Sequence, residues 1–304
     1  MDAVEISHVS KTFGDVRAVN DLSLNIPEGA VYGFIGPNGS GKTTTMRMIV
    51  NIFYPDSGEI SVFGKRDIKS RPRIGYLPEE RGLYRQMNVQ PLLEFYAELQ
   101  GGKNVTSEVT AWLEKLGLAH CAERKLQTLS KGMSQKIQFI AAVVPEPKLL
   151  ILDEPFTGLD PVSADAIRSA VLELRARGAT VILSTHDMGV AESLCDYIIM
   201  IYRGNKVLDG TLASIQDHYG SDTIRVATDG GFAALHDLPG VDRIRDLGQL
   251  QELHMAAGCD PQRVLHTLVS RTAVTTFNIV RPSLHDIFVR IAGPTSVEEE
   301  SNAA

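Results

Sequence analysis

The 304-residue chain lacks any apolar run of the ~18 residues that a helix needs to cross a bilayer. The nearest candidate, residues 137–152, is broken by Gln138, Pro145, Glu146, Pro147 and Lys148. A membrane role therefore requires a partner that supplies the spanning part. The opening residues Met1-Asp2-Ala3-Val4-Glu5 have neither the basic nor the apolar region of a secretory leader. Cysteine is scarce: Cys121, Cys195 and Cys259 are far apart and odd in number. That pattern suggests neither a disulfide framework nor a metal site and fits a reducing cytosol, each thiol reading as a small buried apolar residue. Positive charge is also in short supply. Thirty Lys and Arg against 37 Asp and Glu leave a net charge of −7, so there is no footprint for broad nucleic-acid binding. What remains is ordinary globular composition, 43% hydrophobic and 22% charged, with length for one large or two modest domains and no internal repeat.

The feature that carries most is Gly36-Pro37-Asn38-Gly39-Ser40-Gly41-Lys42-Thr43-Thr44, directly after the apolar run Val31-Tyr32-Gly33-Phe34-Ile35. It fits G-x-x-x-x-G-K-[ST], a loop that cradles phosphates between a strand and a helix. Glycines let successive backbone N–H groups point inward at an anion. Lys42 can reach the β- and γ-phosphates, and the Thr43 hydroxyl can ligate Mg²⁺. A helix starting near Lys42 would aim its positive end at the same phosphates. A glycine-rich turn with a solvated lysine is the plainer alternative. The apolar strand before the loop and the amphipathic residues 44–50 after it argue for the phosphate loop.

Residues 4–30 alternate in polarity and carry β-branched residues, which predicts an antiparallel β region that resumes at 58–64. Residues 88–144 read as mainly helical, with Leu92, Leu93, Phe95, Tyr96 and Leu99 at helical spacing and Gly101-Gly102 as a stop. From 149 the pattern becomes α/β: strands at 149–152, 179–184 and 197–202, with a helix at 164–177. Strands alternating with helices predict a parallel sheet with right-handed crossovers. Residues 215–293 form a separate α+β segment, with strands at 223–227, 241–245, 250–255 and 274–280 and helices at 232–236 and 261–271. No motif in that segment carries chemistry. The acidic tail 294–304 reads as disordered.

The strand at 149–152 ends in Asp153-Glu154-Pro155. A carboxylate at the C-terminal edge of a parallel sheet is where the Mg²⁺ of a bound nucleotide sits in phosphate-loop enzymes. Asp153 can hold that ion and Glu154 can polarise an attacking water. In isolation the pair reads equally well as two solvated acids.

With these residues the chain resembles the ATPase subunits of ABC transporters. Leu129-Ser130-Lys131-Gly132-Met133-Ser134-Gln135 is similar to their LSGGQ signature, keeping Ser130 and Gly132 and departing at Lys131 and Met133. Asp153-Glu154-Pro155-Phe156-Thr157-Gly158-Leu159-Asp160-Pro161 resembles the acidic pair and the loop after it, and Ser184-Thr185-His186-Asp187 the switch histidine. The similarity covers residues 1–214. It implies an α/β P-loop NTPase domain over 1–214 with an antiparallel β subdomain and a helical subdomain, plus a small C-terminal α+β domain over 215–293. It further implies Glu154 and His186 as catalytic residues, Thr43, Glu79 and Asp153 around Mg²⁺, and Phe13 stacked on adenine. Ser130, Lys131, Gly132 and Asp160 would complete the ATP site of a second ATPase subunit, in a homodimer or a mixed pair. Taken alone, His186 reads as a hydrogen-bonded strand-end histidine and Phe13 as ordinary packing.

One departure concerns Glu79, which stands where the family usually has glutamine. Pro78-Glu79-Glu80-Arg81-Gly82-Leu83-Tyr84 resembles the sodium-export and multidrug-type subgroup, as does residues 281–288 its short C-terminal domain. The resemblance implies an ATP-hydrolysing exporter subunit, cytoplasmic and held at the inner face of the membrane by a spanning permease. Cargo is not encoded here. The rival reading is a soluble ABC-type ATPase acting on ribosomes or DNA. Against it, only one ATPase unit is present, and neither long coiled coils nor zinc sites occur. A binding module without turnover is disfavoured by Glu154 and His186.

Overall fold

The computed structural model describes residues 1–66, 72–80, 82–102, 104–220, 223–256 and 258–293. They divide into two compact units, residues 1–211 and the part from Leu212 onward.

The first unit opens with a hairpin of β1 (Asp2–Phe13) and β2 (Val16–Pro27). Next, β3 (Val31–Ile35) runs into α1 (Lys42–Ile49), followed by β4 (Ser57–Val62) and β5 (Ile74–Leu77). Strands β2, β1 and β4 form a three-stranded antiparallel sheet in that order. Val4, Ile6, Leu22, Leu24 and Ile26 turn to one side of it and are buried with Met46, Met48 and Ile49 of α1. Period-2 alternation on the strands and 3.6-residue spacing on the helix thus meet in one core.

A helical layer follows: α2 (Val89–Leu99), α3 (Val105–Lys115) and α4 (Lys131–Val143), with 3₁₀ turns at Ala119–Cys121 and Leu126–Thr128. Leu92, Leu93, Trp112, Leu113, Phe139 and Ile140 are buried in a second core. The Trp112 and Phe139 rings meet edge to face at 6.1 Å, a preferred aromatic geometry.

The chain then forms β6 (Leu149–Asp153), α5 (Pro161–Ala176), β7 (Thr180–Thr185), α6 (Met188–Leu194), β8 (Tyr197–Tyr202) and β9 (Asn205–Gly210). With β3 and β5 these strands make a six-stranded sheet, ordered β5-β6-β7-β3-β8-β9. All neighbours are parallel except β8 and β9. Every residue of β3, β6 and β7 is buried, which is why their centres, such as Leu149–Leu152 and Val181–Leu183, are apolar on both faces rather than alternating. Each fully buried Leu, Ile or Val contributes roughly 1.5–3 kcal/mol. The C-terminal ends of β3 and β6 therefore stand on fully buried strands.

The second unit starts with α7 (Leu212–Tyr219), then β10 (Thr223–Thr228), a 3₁₀ turn at Gly231–Leu235, β11 (Val241–Asp246), β12 (Gln251–Met255), α8 (Pro261–Arg271), β13 (Val274–Val280) and α9 (Leu284–Ala292). The four strands form an antiparallel sheet ordered β11-β12-β10-β13, with Ile224, Val226 and Leu253 buried against Val264 and Leu268 of α8. Helix α9 begins with a capping box in which Ser283 and Asp286 satisfy each other's backbone N–H groups.

Several elements differ from the sequence reading. The helix expected at 232–236 is a 3₁₀ turn; five residues before Asp237-Leu238-Pro239 are too few to nucleate an α-helix. Helix α5 starts at Pro161, because Asp160 caps it and Pro161 suits its first turn. Strand β9 and helices α6, α7 and α9 were not anticipated. The tail at 294–304 and Arg81 lie outside the described residues.

Candidate active site

The phosphate loop leaves β3 at Ile35 and enters α1 at Lys42, as the motif requires. Two of its glycines are dictated by space. Gly36 has φ 141°, and a Cβ there would lie 2.1 Å from the Ile201 carbonyl oxygen; Gly41 has φ 112°, and a Cβ would lie 2.4 Å from that of Ala18. Only glycine fits conformations and approaches of this kind. Lys42 is 6% exposed, and its Nζ donates to the carbonyls of Gly36 at 2.6 Å and Pro37 at 2.9 Å. Asn38, Gly39, Ser40, Gly41, Lys42, Thr43 and Thr44 line a cleft of about 360 Å³, together with Ala18, Glu79 and Glu154.

The acidic pair reaches this cleft because β6 lies two strands from β3 with β7 between them. Asp153 ends β6 and is fully buried. Its Oδ1 accepts from Ser184 Oγ at 2.6 Å and from Thr43 Oγ1 at 3.1 Å. Burial pushes the Asp153 carboxyl above its ordinary pKa; the two hydroxyl bonds pull it back, Glu154 adds to the rise, and Arg47 opposes it. Glu154 follows with φ 50°, a left-handed backbone that a non-glycine residue adopts at a cost of about 1–3 kcal/mol. Its N–H donates to Ser184 Oγ at 2.9 Å. Its Oε2 bonds His186 Nδ1 at 3.0 Å and accepts from Thr157 Oγ1 at 3.1 Å. The Glu154 carboxylate is thereby fixed through one oxygen. The other, Oε1, is buried without a protein partner, and so are Asp153 Oδ2 and Ser40 Oγ.

Unpaired buried oxygens of this kind cost free energy unless a ligand completes them. The donor set is hard: a hydroxyl at Thr43 and a carboxylate at Asp153. Among the described residues no three Asp, Glu, His or Cys side chains converge into a metal cage. The Thr43 hydroxyl beside the Asp153 carboxylate, with its Oδ2 unpaired, suits an ion held by one or two carboxylates together with phosphate oxygens and water, the habit of Mg²⁺. Glu79 is exposed at the cleft rim, beyond β5.

The other expected site residues lie elsewhere. Phe13, at the end of β1, is 42% exposed, meets Phe53 edge to face at 5.2 Å and does not line the cleft. Ser130 caps α4, its Oγ accepting from the Met133 N–H at 3.2 Å. The Lys131 ammonium lies 2.5 Å from where a Cβ on Gly158 would stand. Gly132 faces Leu159, Asp160 and Ser163, and Asp160 accepts from the Ser163 N–H at 2.9 Å. Ser130, Lys131, Gly132 and Asp160 thus gather into one patch, apart from the cleft walls of their own chain. Sequence reasoning missed Ser184 as the bridge between Asp153 and Glu154, Thr157 as a second support for Glu154, and Arg47. The signal for Ser184 was a polar residue ending an apolar strand, in register with Asp153.

Comparison with known proteins agrees with this geometry. Residues 19–157 match the ABC transporter family, and residues 210–292 match the C-terminal domain of DrrA1-3-like ATP-binding proteins. The chain is 38% identical over 291 residues to the uncharacterized ABC transporter ATP-binding protein YhaQ of Bacillus subtilis, covering 95% of this chain and 98% of that one. It is 33% identical over 300 residues to the Nod factor export ATP-binding protein I of a Rhizobium species, covering 96% and 97%. A solved ATP-binding subunit of an ABC transporter superimposes with a TM-score of 0.68 at 30% identity, covering 72% of this chain and 93% of that one. The chain belongs to the ABC transporter ATP-binding family. It is an ATP-binding and ATP-hydrolysing subunit of an ABC transporter.

Proposed function

We propose that this subunit powers export through a separate membrane-spanning permease, working as one of two ATPase subunits at the inner face of the membrane. Export is supported by relatives named for Nod factor export and linearmycin resistance. A separate permease is supported by the finding that no described helix is long and apolar enough to cross a membrane. The second unit is an accessory domain in this reading.

ATP enters with its phosphates against the backbone N–H groups of residues 36–44 and Lys42 beside them. Thr43 and Asp153 would hold Mg²⁺, with Glu79 at the rim, and the ion would supply positive charge to offset that of the phosphate oxygens. Glu154 takes a proton from water as its oxygen attacks the γ-phosphorus; the bond to the bridging oxygen breaks, giving ADP and phosphate. The free Oε1 is the basic atom, because Oε2 is held by His186 and Thr157. Ser130, Lys131, Gly132 and Asp160 face the nucleotide of the second subunit, so the γ-phosphate favours the closed pair and its loss favours opening.

The observation that carries the proposal is the buried, partnerless Oε1 of Glu154, a residue that lines the phosphate cleft. Glu154→Gln is expected to lower ATP turnover by about 10²–10⁴, the usual worth of a general base, while ATP-bound dimers accumulate on size exclusion with Mg²⁺. Full turnover in this variant, or a persistent monomer, would overturn it.

A further inference from the structure

The turn between β8 and β9 lies against the phosphate loop, although the two are far apart in sequence. It consists of Arg203 and Gly204, both at positive φ (49° and 77°), and Tyr202 pairs with Asn205 across it. Tight two-residue hairpins favour this backbone. The Gly204 peptide groups, however, bond outside the hairpin. Its N–H donates to the Ser40 carbonyl at 2.9 Å, and its carbonyl accepts from the Asn20 N–H of β2 at 2.9 Å. Gly204 thus bridges β2 and the phosphate loop through backbone alone. The approach is close: a Cβ on Gly204 would lie 2.9 Å from the Arg17 carbonyl oxygen and 3.1 Å from that of Ala18. The Ala18 carbonyl is also the group that excludes a side chain at Gly41. On the outside the exposed Asn205 braces the turn. Its Nδ2 donates to the Arg203 carbonyl at 2.8 Å, and its Oδ1 accepts from Asn20 Nδ2 at 2.7 Å.

We infer that Gly204 is a positioning residue of the ATP site, because it sets which way the Ser40–Gly41 peptide faces. That peptide is planar and trans, so the Ser40 C=O and the Gly41 N–H point in opposite directions. With the carbonyl bonded outward to Gly204, the Gly41 N–H is turned toward the cleft that Gly41 lines. A hydrogen bond to a charged phosphate is a strong one, and an N–H aimed away forfeits it. Glycine on one side of a peptide makes a flip of its plane easy, so the loop needs an anchor from outside. The turn supplies that anchor, and the Asn20–Asn205 pair holds the turn to β2. The inference rests on the reading that the phosphates lie against residues 36–44.

The test is equilibrium binding of ADP with Mg²⁺ to the full-length protein by calorimetry, with steady-state ATP turnover beside it. Gly204→Ala pushes the turn off the Arg17 and Ala18 carbonyls and so away from Ser40. It is expected to raise the ADP Kd and the KM for ATP about tenfold or more, the worth of one bond to a charged group. A mere loss of folded molecules would instead lower apparent kcat at an unchanged KM. Asn205→Ala, an exposed substitution, is expected to raise both constants about twofold to fivefold. An ADP Kd and a KM that stay at the wild-type values in folded Gly204→Ala overturn the inference. Where Gly204→Ala does not fold, wild-type values in Asn205→Ala overturn it. Lys42→Ala keeps the two claims apart. An unchanged ADP affinity in Lys42→Ala overturns the phosphate-loop reading itself. Affinity lost in Lys42→Ala but kept in Gly204→Ala overturns the role of Gly204 alone.

Discussion

The two units handle buried charge in opposite ways. In the first, Asp153 and Glu154 each keep a buried carboxylate oxygen without a partner, and Ser40 does the same with its hydroxyl. In the second, the buried Glu252 is matched across the strands by Arg225 at 2.9 Å. None of the buried partnerless side-chain atoms among the described residues falls in the second unit. A satisfied buried pair specifies architecture, whereas an unsatisfied one implies that something else completes it. Three of these partnerless groups, on Ser40, Asp153 and Glu154, belong to the phosphate cleft or its supports; others, on Gln138 and Arg168, lie away from it, so the contrast acquires its meaning only together with the motifs.

Lys42→Ala tests the contrast most severely. The cleft loses its one lysine, and ATP turnover is expected to fall by at least about 10², measured by phosphate release, with the fold intact by circular dichroism. Leu268→Ala probes the other side. Leu268 is fully buried in the second unit's core, so the substitution is expected to cost that unit about 2–5 kcal/mol in denaturant unfolding. Basal ATP turnover should stay near wild type. A large fall in turnover would show that the two units are energetically one, and would break the comparison.

Two smaller effects sharpen it. Glu79→Gln is expected to raise the Mg²⁺ concentration needed for half-maximal turnover, because a rim carboxylate becomes an amide. An unchanged Mg²⁺ dependence would remove Glu79 from the ion's surroundings. Ser184→Ala removes a hydrogen bond that favours ionised Asp153. The carboxyl's pKa, already raised by burial, should rise further. The acid limb of the pH–rate profile then moves to higher pH, since a protonated Asp153 cannot serve the ion. A shift toward lower pH would contradict the assignment.

Much of the site was legible in the sequence because phosphate chemistry dictates residue types at contiguous spacing. Glycines at 36 and 41, Lys42, Thr43 and the acids ending β6 fall in that class. Contacts between distant residues were not legible. Ser184 meets Asp153 only because β6 and β7 pair in that register, and only the fold brings the Arg47 charge on α1 to bear on the Asp153 carboxyl. The fully buried strands were readable as apolar runs. Helix α9 was missed, although Leu284, Ile287 and Phe288 are buried at helical spacing, because only a family resemblance was read there. The span at 232–236 was misread because a short apolar stretch carries no signal that distinguishes a 3₁₀ turn from a helix.

The backbone at Glu154 has a consequence for how such a protein drifts under selection. A glycine there would relax a twist that costs an L-residue about 1–3 kcal/mol, and the folded chain could gain in heat resistance. The same exchange would silence the motor. Screening a library for survival at high temperature, with no demand for work, should therefore enrich inert chains at this position.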